Sequence, residues 1–190
     1  MSYRQSWVEF LKRMIAGFDK AARTNPALSS EHAHIHRGEA FGMVFSTDLQ
    51  HSTSELIQLK TGDKYVHLKD RLYSVEKGEW LLSLWEEPSS LTDGVTPISV
   101  HNKNRNSDVE SSVELFSGAL NLIGGTMINE MYFNPGDRAQ SDGAQTGNDE
   151  EEWVLKPNSV YVFKMERLPA TGSTALSIYT RWFWYETEVI

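Results

Sequence analysis

The stretch "STALSIYTRWFWYETE", residues 173–188, carries most of the information about the fold. Its β-branched and aromatic residues read as a strand, in which side chains alternate between two faces. Trp182 and Trp184 then share one face, and Phe183 and Tyr185 share the other. A strand that is apolar on both faces must be covered on both. The cover is either the domain's own core together with an N-terminal helix, or a neighbouring subunit. In the second case Trp182 and Trp184 belong to a partner interface.

Working outward from this strand, the same period recurs through most of the chain. Residues 40–46, 54–60, 64–76, 79–87, 96–102, 111–117, 126–133 and 159–168 read as strands. Turn signals separate them, among them Thr61-Gly62-Asp63, Asp93-Gly94, Gly124-Gly125 and Pro157-Asn158. About nine short strands with no intervening helices predict an all-β fold, an antiparallel β-sandwich or jelly roll. A parallel α/β fold needs helical crossovers, and no helical period stands between these strands.

The first thirty residues behave differently. Over residues 6–23, Trp7, Phe10, Leu11, Met14, Ile15 and Phe18 recur at helical spacing and form one apolar stripe. Ser6 and Glu9 fit a capping box, and Asn25-Pro26 ends the segment. The polar face carries Lys12, Arg13, Lys20 and Arg23. Residues 1–24 hold five basic and two acidic side chains, a balance of +3. The chain totals −8, so the remainder carries −11. The expected organisation is an amphipathic helix and linker over 1–30 and a β-sandwich over 31–190. Trp7, Phe10, Leu11, Met14, Ile15 and Phe18, rimmed by Lys12 and Arg13, are a candidate partner interface.

Composition bounds the chemistry. The chain has 190 residues, with 11% aromatic side chains and no cysteine, so disulfides and thiolate sites are excluded. The acidic balance argues against a nucleic-acid partner. No run approaches the ~20 apolar residues of a membrane span, so no membrane partner is expected. Residues 134–152, "NPGDRAQSDGAQTGNDEEE", form a long polar stretch that is either mobile or held by a partner.

"EHAHIHRGEAF", residues 31–41, places His32, His34 and His36 at alternate positions, on one face if the stretch is a strand. His34-Ile35-His36 with Glu39 approaches the ligand spacing of a cupin, but Glu39 is too close and no later histidine completes the set. His51, His67 and His101 sit in separate segments. No transition metal and no cofactor is therefore expected. There is no nucleophile motif and no phosphate-cradling loop, so the chain reads as a non-enzyme. Trp80, Trp85, Trp153, Trp182 and Trp184 could stack on a carbohydrate, the alternative class of function. Their near-continuous apolar surroundings favour burial instead.

Several segments together resemble a family of tailed-bacteriophage proteins. They are "IHRGEAF" (35–41), "IQLKTGDKYVHLK" (57–69), "LLSLWEEPSSLTDGVTPISVHNKNRNS" (81–107) and "EEWVLKPNSVYVFKMERL" (151–168). The likeness covers roughly residues 31–188, and its most specific part is the asparagine-arginine segment. The helix at 1–23 lies outside it. The resemblance implies a virion structural protein of the head decoration, or cement, type. Such a protein is made in the host cytoplasm and carried in the virion. Its partner is the major capsid protein or another virion protein, and it is expected to be a homo-oligomer; the alternative is a host-surface or carbohydrate-binding module of a head or tail fibre. Within the pattern, Ile35-His36-x-Gly38-x-x-Phe41 opens a strand, and His36 is expected to bond backbone or a carboxylate there. Asn102, Asn104, Arg105 and Asn106 are expected to form an ordered turn. Asparagines bond local backbone, and the Arg105 fork is expected to find acceptors within its own domain.

Overall fold

The computed structural model describes residues 30–75, 78–134, 145–146, 152–169 and 174–188. The expected helix over 6–23, with Trp7, Phe10, Leu11, Lys12, Arg13, Met14, Ile15 and Phe18, lies outside the described residues, as does most of the polar stretch 134–152. The chain divides into two units, Met1–Ala33 and His34–Ile190. The second unit holds all the described strands.

The fold is antiparallel β, with one short helix among the described residues, α1 (Ser30–Arg37). One sheet contains β1 (Ala40–Leu49), β3 (Tyr65–Val75), β7 (Val100–Asn102), β11 (Gln145–Thr146), β12 (Trp153–Leu155) and β14 (Leu176–Thr187). Its order is β11-β3-β14-β1-β7, and β12 also pairs with β3. The second sheet contains β2 (Ser54–Lys60), β4 (Trp80–Glu86), β6 (Thr96–Pro97), β8 (Glu114–Ser117), β10 (Thr126–Phe133) and β13 (Val160–Arg167), in the order β10-β4-β13-β2-β8-β6. A separate pair joins β5 (Ser90–Thr92) and β9 (Leu120–Ile123). Consecutive long strands β1, β2, β3 and β4 alternate between the two sheets, and so do β12, β13 and β14. That is the strand order of a jelly roll.

All nine expected strands are present. The expected strand at 96–102 is interrupted at Ile98-Ser99 and becomes β6 and β7. β5, β9, β11 and β12 are additional, and none exceeds four residues. Strands this short carry too few alternations to show a period.

β14 is the centre of the first sheet. It pairs with β1 over ten residues, from Ala40↔Tyr185 to Leu49↔Leu176, and with β3 on its other side. Its inner face, Leu176, Ile178, Trp182 and Trp184, is buried in the main core. Across the sandwich Phe163 meets Trp182 edge-on at 5.2 Å and stacks on Tyr73 at 5.3 Å. β3 keeps this face despite a register shift opposite Phe183/Trp184. Val66 and Leu68 point inward before the shift, and Tyr73 and Val75 after it. The extra residue turns the strand by one position, as a β-bulge does.

The opposite face of β14 is covered from within the same unit. Phe183 and Tyr185 form a small cluster with Ala40, and Ile35 of α1 packs on it. The Lys103 ammonium sits 5.6 Å from the Phe183 ring centre. Trp182 and Trp184 are 1% and 2% exposed. They are core residues and not the partner interface that a two-faced apolar strand also allowed. The cover of β14 is the sandwich core on one side and α1 with the 102–107 turn on the other.

Gly38 joins α1 to this arrangement. It ends the helix with φ +76°, donating its amide to the Ile35 carbonyl at 3.0 Å. A Cβ there would sit 2.1 Å from Ser107 Oγ. Both the left-handed backbone and the close approach require glycine. Gly38→Ala is expected to lower stability in urea denaturation by about 1–3 kcal/mol. Adding Ser107→Gly restores the part due to the clash and leaves the backbone part.

Candidate functional site

The asparagine segment forms an ordered turn built from its own side chains. Asn102 Oδ1 accepts the Asn104 amide at 2.8 Å, and Asn104 Oδ1 accepts the Asn106 amide at 3.1 Å. The amide nitrogens of the same side chains reach outward. Asn102 Nδ2 donates to the Gly38 carbonyl at 2.7 Å and to the Val109 carbonyl at 2.9 Å. Asn104 Nδ2 donates to the His36 carbonyl at 3.1 Å. Asn102 and Asn104 thus each close a local turn and tie it to the end of α1, using both donor and acceptor. The Lys103 amide adds a bond to the Ala40 carbonyl at 2.8 Å.

The chain beyond the turn is pinned by a buried carboxylate. Glu186 on β14 is 3% exposed. It accepts Ser111 Oγ at 2.5 Å, the Ser112 amide at 3.0 Å and Trp184 Nε1 at 3.2 Å. Four donor contacts, counting the longer second bond from the Ser112 amide at 3.2 Å, replace the water that the carboxylate loses. Both ends of the segment 102–112 are therefore fixed to the sheet.

Between these anchors lies an open cleft of about 610 Å³. Phe41, Val100 and Val113 line its apolar side, and His101, Asn104, Arg105, Ser107, Asp108 and Glu110 its polar side. Arg105, Asp108 and Glu110 are exposed. Among the described residues none of the three makes a hydrogen bond or an ion pair. The expectation that Arg105 bonds within its own domain is therefore overturned. The asparagines satisfy the local backbone by themselves and leave the guanidinium without an acceptor. Burial, and then the Lys103 and Arg105 cations, hold the His101 imidazole below its ordinary range. The cleft therefore presents an unpaired cation, two carboxylates and an imidazole on a backbone held by the asparagine bonds.

A second polar cluster lies on the outer face of β14. Tyr185 carries two stacked imidazoles, His34 at 4.0 Å and His67 at 4.4 Å between ring centres. His67 stands across from it on β3, and His34 comes from the side of β1, so the two rings take opposite faces. The Glu152 carboxylate gathers three donors: Tyr185 Oη at 2.7 Å, His67 Nδ1 at 2.5 Å and Lys69 Nζ at 2.7 Å. Burial raises the Glu152 carboxyl, but the Lys69, Tyr185 and His67 donors outweigh it and bring it to about 2. Burial, and then the same contact with Glu152, push the Tyr185 hydroxyl up.

The three alternating histidines are on a helix. At about 100° per residue a spacing of two turns neighbours ~200° apart, so His34 lies on the side opposite His32 and His36 and the three do not share a face. His36 is exposed, and the residue that bonds a carboxylate is His34, with Glu39 Oε2 at 2.7 Å. His51 meets Arg167 at 3.2 Å, on another part of the sandwich. Among the described residues no three His, Asp or Glu side chains converge as a metal site. The tryptophans do not form a sugar platform: Trp80, Trp182 and Trp184 are buried, and Trp85 and Trp153 are half-buried in separate clusters.

The cleft residues Asp108, Glu110 and His101 were not singled out by spacing. Their only signal in the sequence is adjacency to the asparagine segment. No protein-family model matches the sequence, and no curated protein does.

The Glu152 cluster makes stability depend on acid. Its folded-state value lies below the usual 4.5, so its stabilisation is complete above the ordinary carboxylate range and is lost as pH falls toward about 2. Glu152→Gln is expected to cost on the order of 2 kcal/mol at pH 7 in chemical denaturation. The difference between variant and wild type is expected to shrink between pH 4.5 and 2.

Proposed function

We propose that this protein is a non-enzymatic structural protein of a tailed-phage virion, a head decoration protein that binds the assembled shell of major capsid protein. The observation that carries the reading is Arg105. A turn made rigid by its flanking asparagines holds an unpaired guanidinium at the mouth of an open cleft. Immobilising the backbone around a charge in advance lowers the ordering cost of binding. The planar fork suits carboxylates and carbonyls of a protein surface. The asparagine-arginine segment is also the most specific part of the resemblance to phage proteins. Asp108 and Glu110 beside it supply the opposite charge, so the cleft selects a partner surface carrying both signs.

The basic N-terminal stretch is a second contact in this reading, with Lys12 and Arg13 meeting acidic groups of the shell. A carbohydrate-binding module is the competing reading, favoured only by the polar lining of the cleft.

Co-sedimentation with purified shells tests the proposal. Arg105→Ala is expected to leave the melting temperature within a degree or two and to weaken shell binding at least tenfold, with binding that falls as salt rises. Undiminished binding by the variant overturns the assignment of Arg105. Absence of shell binding by the wild type, together with a saturable sugar on a glycan array, favours the carbohydrate reading. Deleting residues 1–24 is expected to leave a folded β domain that binds shells more weakly.

A further inference from the structure

Most strand edges in this sandwich are short. Where the sheets end among the described residues, β6 and β11 have two residues and β7 and β12 have three. Edges that short offer little to a passing chain. Two longer edges remain among the described residues: residues 44–49, where β1 runs on past its pairing with β7, and β10. Of these only β10 is a whole end strand: it has eight residues, pairs with β4 on one side, and is the last strand of its sheet among the described residues. It carries no proline or lysine and a single charge, Glu130. Met127 and Tyr132 on its outer face are 44% and 55% exposed. A row of unpaired amides and carbonyls has one good complement, another extended strand.

We infer that β10 is the interface between two copies of this chain, paired antiparallel edge to edge around Met131. The register follows from two constraints. β10 is irregular between Met127 and Asn129 and regular from Asn129 to Phe133. The regular segment is therefore centred on Met131. In a two-fold antiparallel pair, facing residues direct their backbone groups alike, both toward the partner or both away, so the axis passes through a residue position. An axis at Glu130 sets two like charges opposite each other, and an axis at Asn129 runs the second copy into the bulge. An axis at Met131 avoids both. It places Glu130 across from Tyr132 of the other copy, twice, and covers the exposed phenol. Such a pair closes on itself and matches Glu130 with Tyr132 in both directions, which favours a second copy over an unrelated strand.

The absence of cysteine makes the test clean. Facing residues in such a pair lie about 4.5–5.5 Å apart at Cα, within disulfide range. In Met131→Cys two thiols then form one disulfide, and diamide takes up the two electrons and two protons. The wild-type chain is expected to show twice its 21.6 kDa mass by light scattering at tens of micromolar. Met131→Cys is expected to give a covalent dimer with diamide at least tenfold faster than Val95→Cys, a control at a site 82% exposed. Tyr132→Asp, an outer-face change, sets a carboxylate against Glu130 and is expected to raise the dimer dissociation constant at least tenfold. A wild-type monomer overturns the inference. So does a dimer that cross-links no faster at 131 than at 95, or one that a folded Tyr132→Asp leaves intact.

Discussion

The structure depends on covering β14 from both sides. One face supplies Trp182 and Trp184 to the core, and removing a buried tryptophan of this kind costs about 3–5 kcal/mol. The other face presents Phe183 and Tyr185, and these would lie open in a sandwich that ended at its sheets. Two short elements cover them. Ile35 and His34 come from α1, and Lys103 from the asparagine turn. α1 and the turn are bonded to each other through Asn102, Asn104 and the carbonyls of Gly38 and His36. The candidate site is consequently built from the same pieces that complete the fold.

That economy explains where rigidity and freedom lie. Glu186 serves the core side by engaging Trp184 and the cleft side by holding Ser111 and Ser112. Gly38 admits Ser107 at a distance that any Cβ would block. Glu152 collects three donors at the far side of Tyr185. The ionisable groups Glu186, Glu152, His67 and Lys69 around β14 have partners within the domain, while Thr180 Oγ1, Trp182 Nε1 and Ser112 Oγ are buried without one among the described residues. The exposed charges of the cleft, Arg105, Asp108 and Glu110, differ from these ionisable groups in having no side-chain partner among the described residues.

The legible part of the fold was whatever repeats with period two over six or more residues. β2 and β10 lie at their expected bounds, and β14 was recognisable as two-faced. The cover of its second face was not legible, because α1 places histidines at alternate positions, a pattern that looks like strand spacing in a list of letters. The bulge in β3 was hidden for a similar reason: Lys69-Asp70 reads as polar alternation, while in space it shifts the register. The asparagine turn was legible from the chemistry of its side chains. The state of Arg105 was not, since whether an arginine finds an acceptor is decided by distant residues.

The two proposed surfaces lie on opposite flanks of the sandwich. β7, which lines the cleft, lies beyond β1, whereas β10 lies on the β3 side, where Phe133 meets Tyr73 at 6.2 Å. The proposed pairing through β10 would therefore leave both clefts facing outward, one at each end of a two-fold dimer. Each cleft alone offers a small polar contact, weak as a single surface interaction. Two held at a fixed separation convert the second contact into an intramolecular one and raise overall affinity without any new contact. That gain is realised only on a surface repeating at the same spacing, such as an assembled shell, and is lost on an isolated subunit. If both proposals hold, edge pairing at β10 and the arginine at the cleft would together favour a repeating lattice over an isolated subunit.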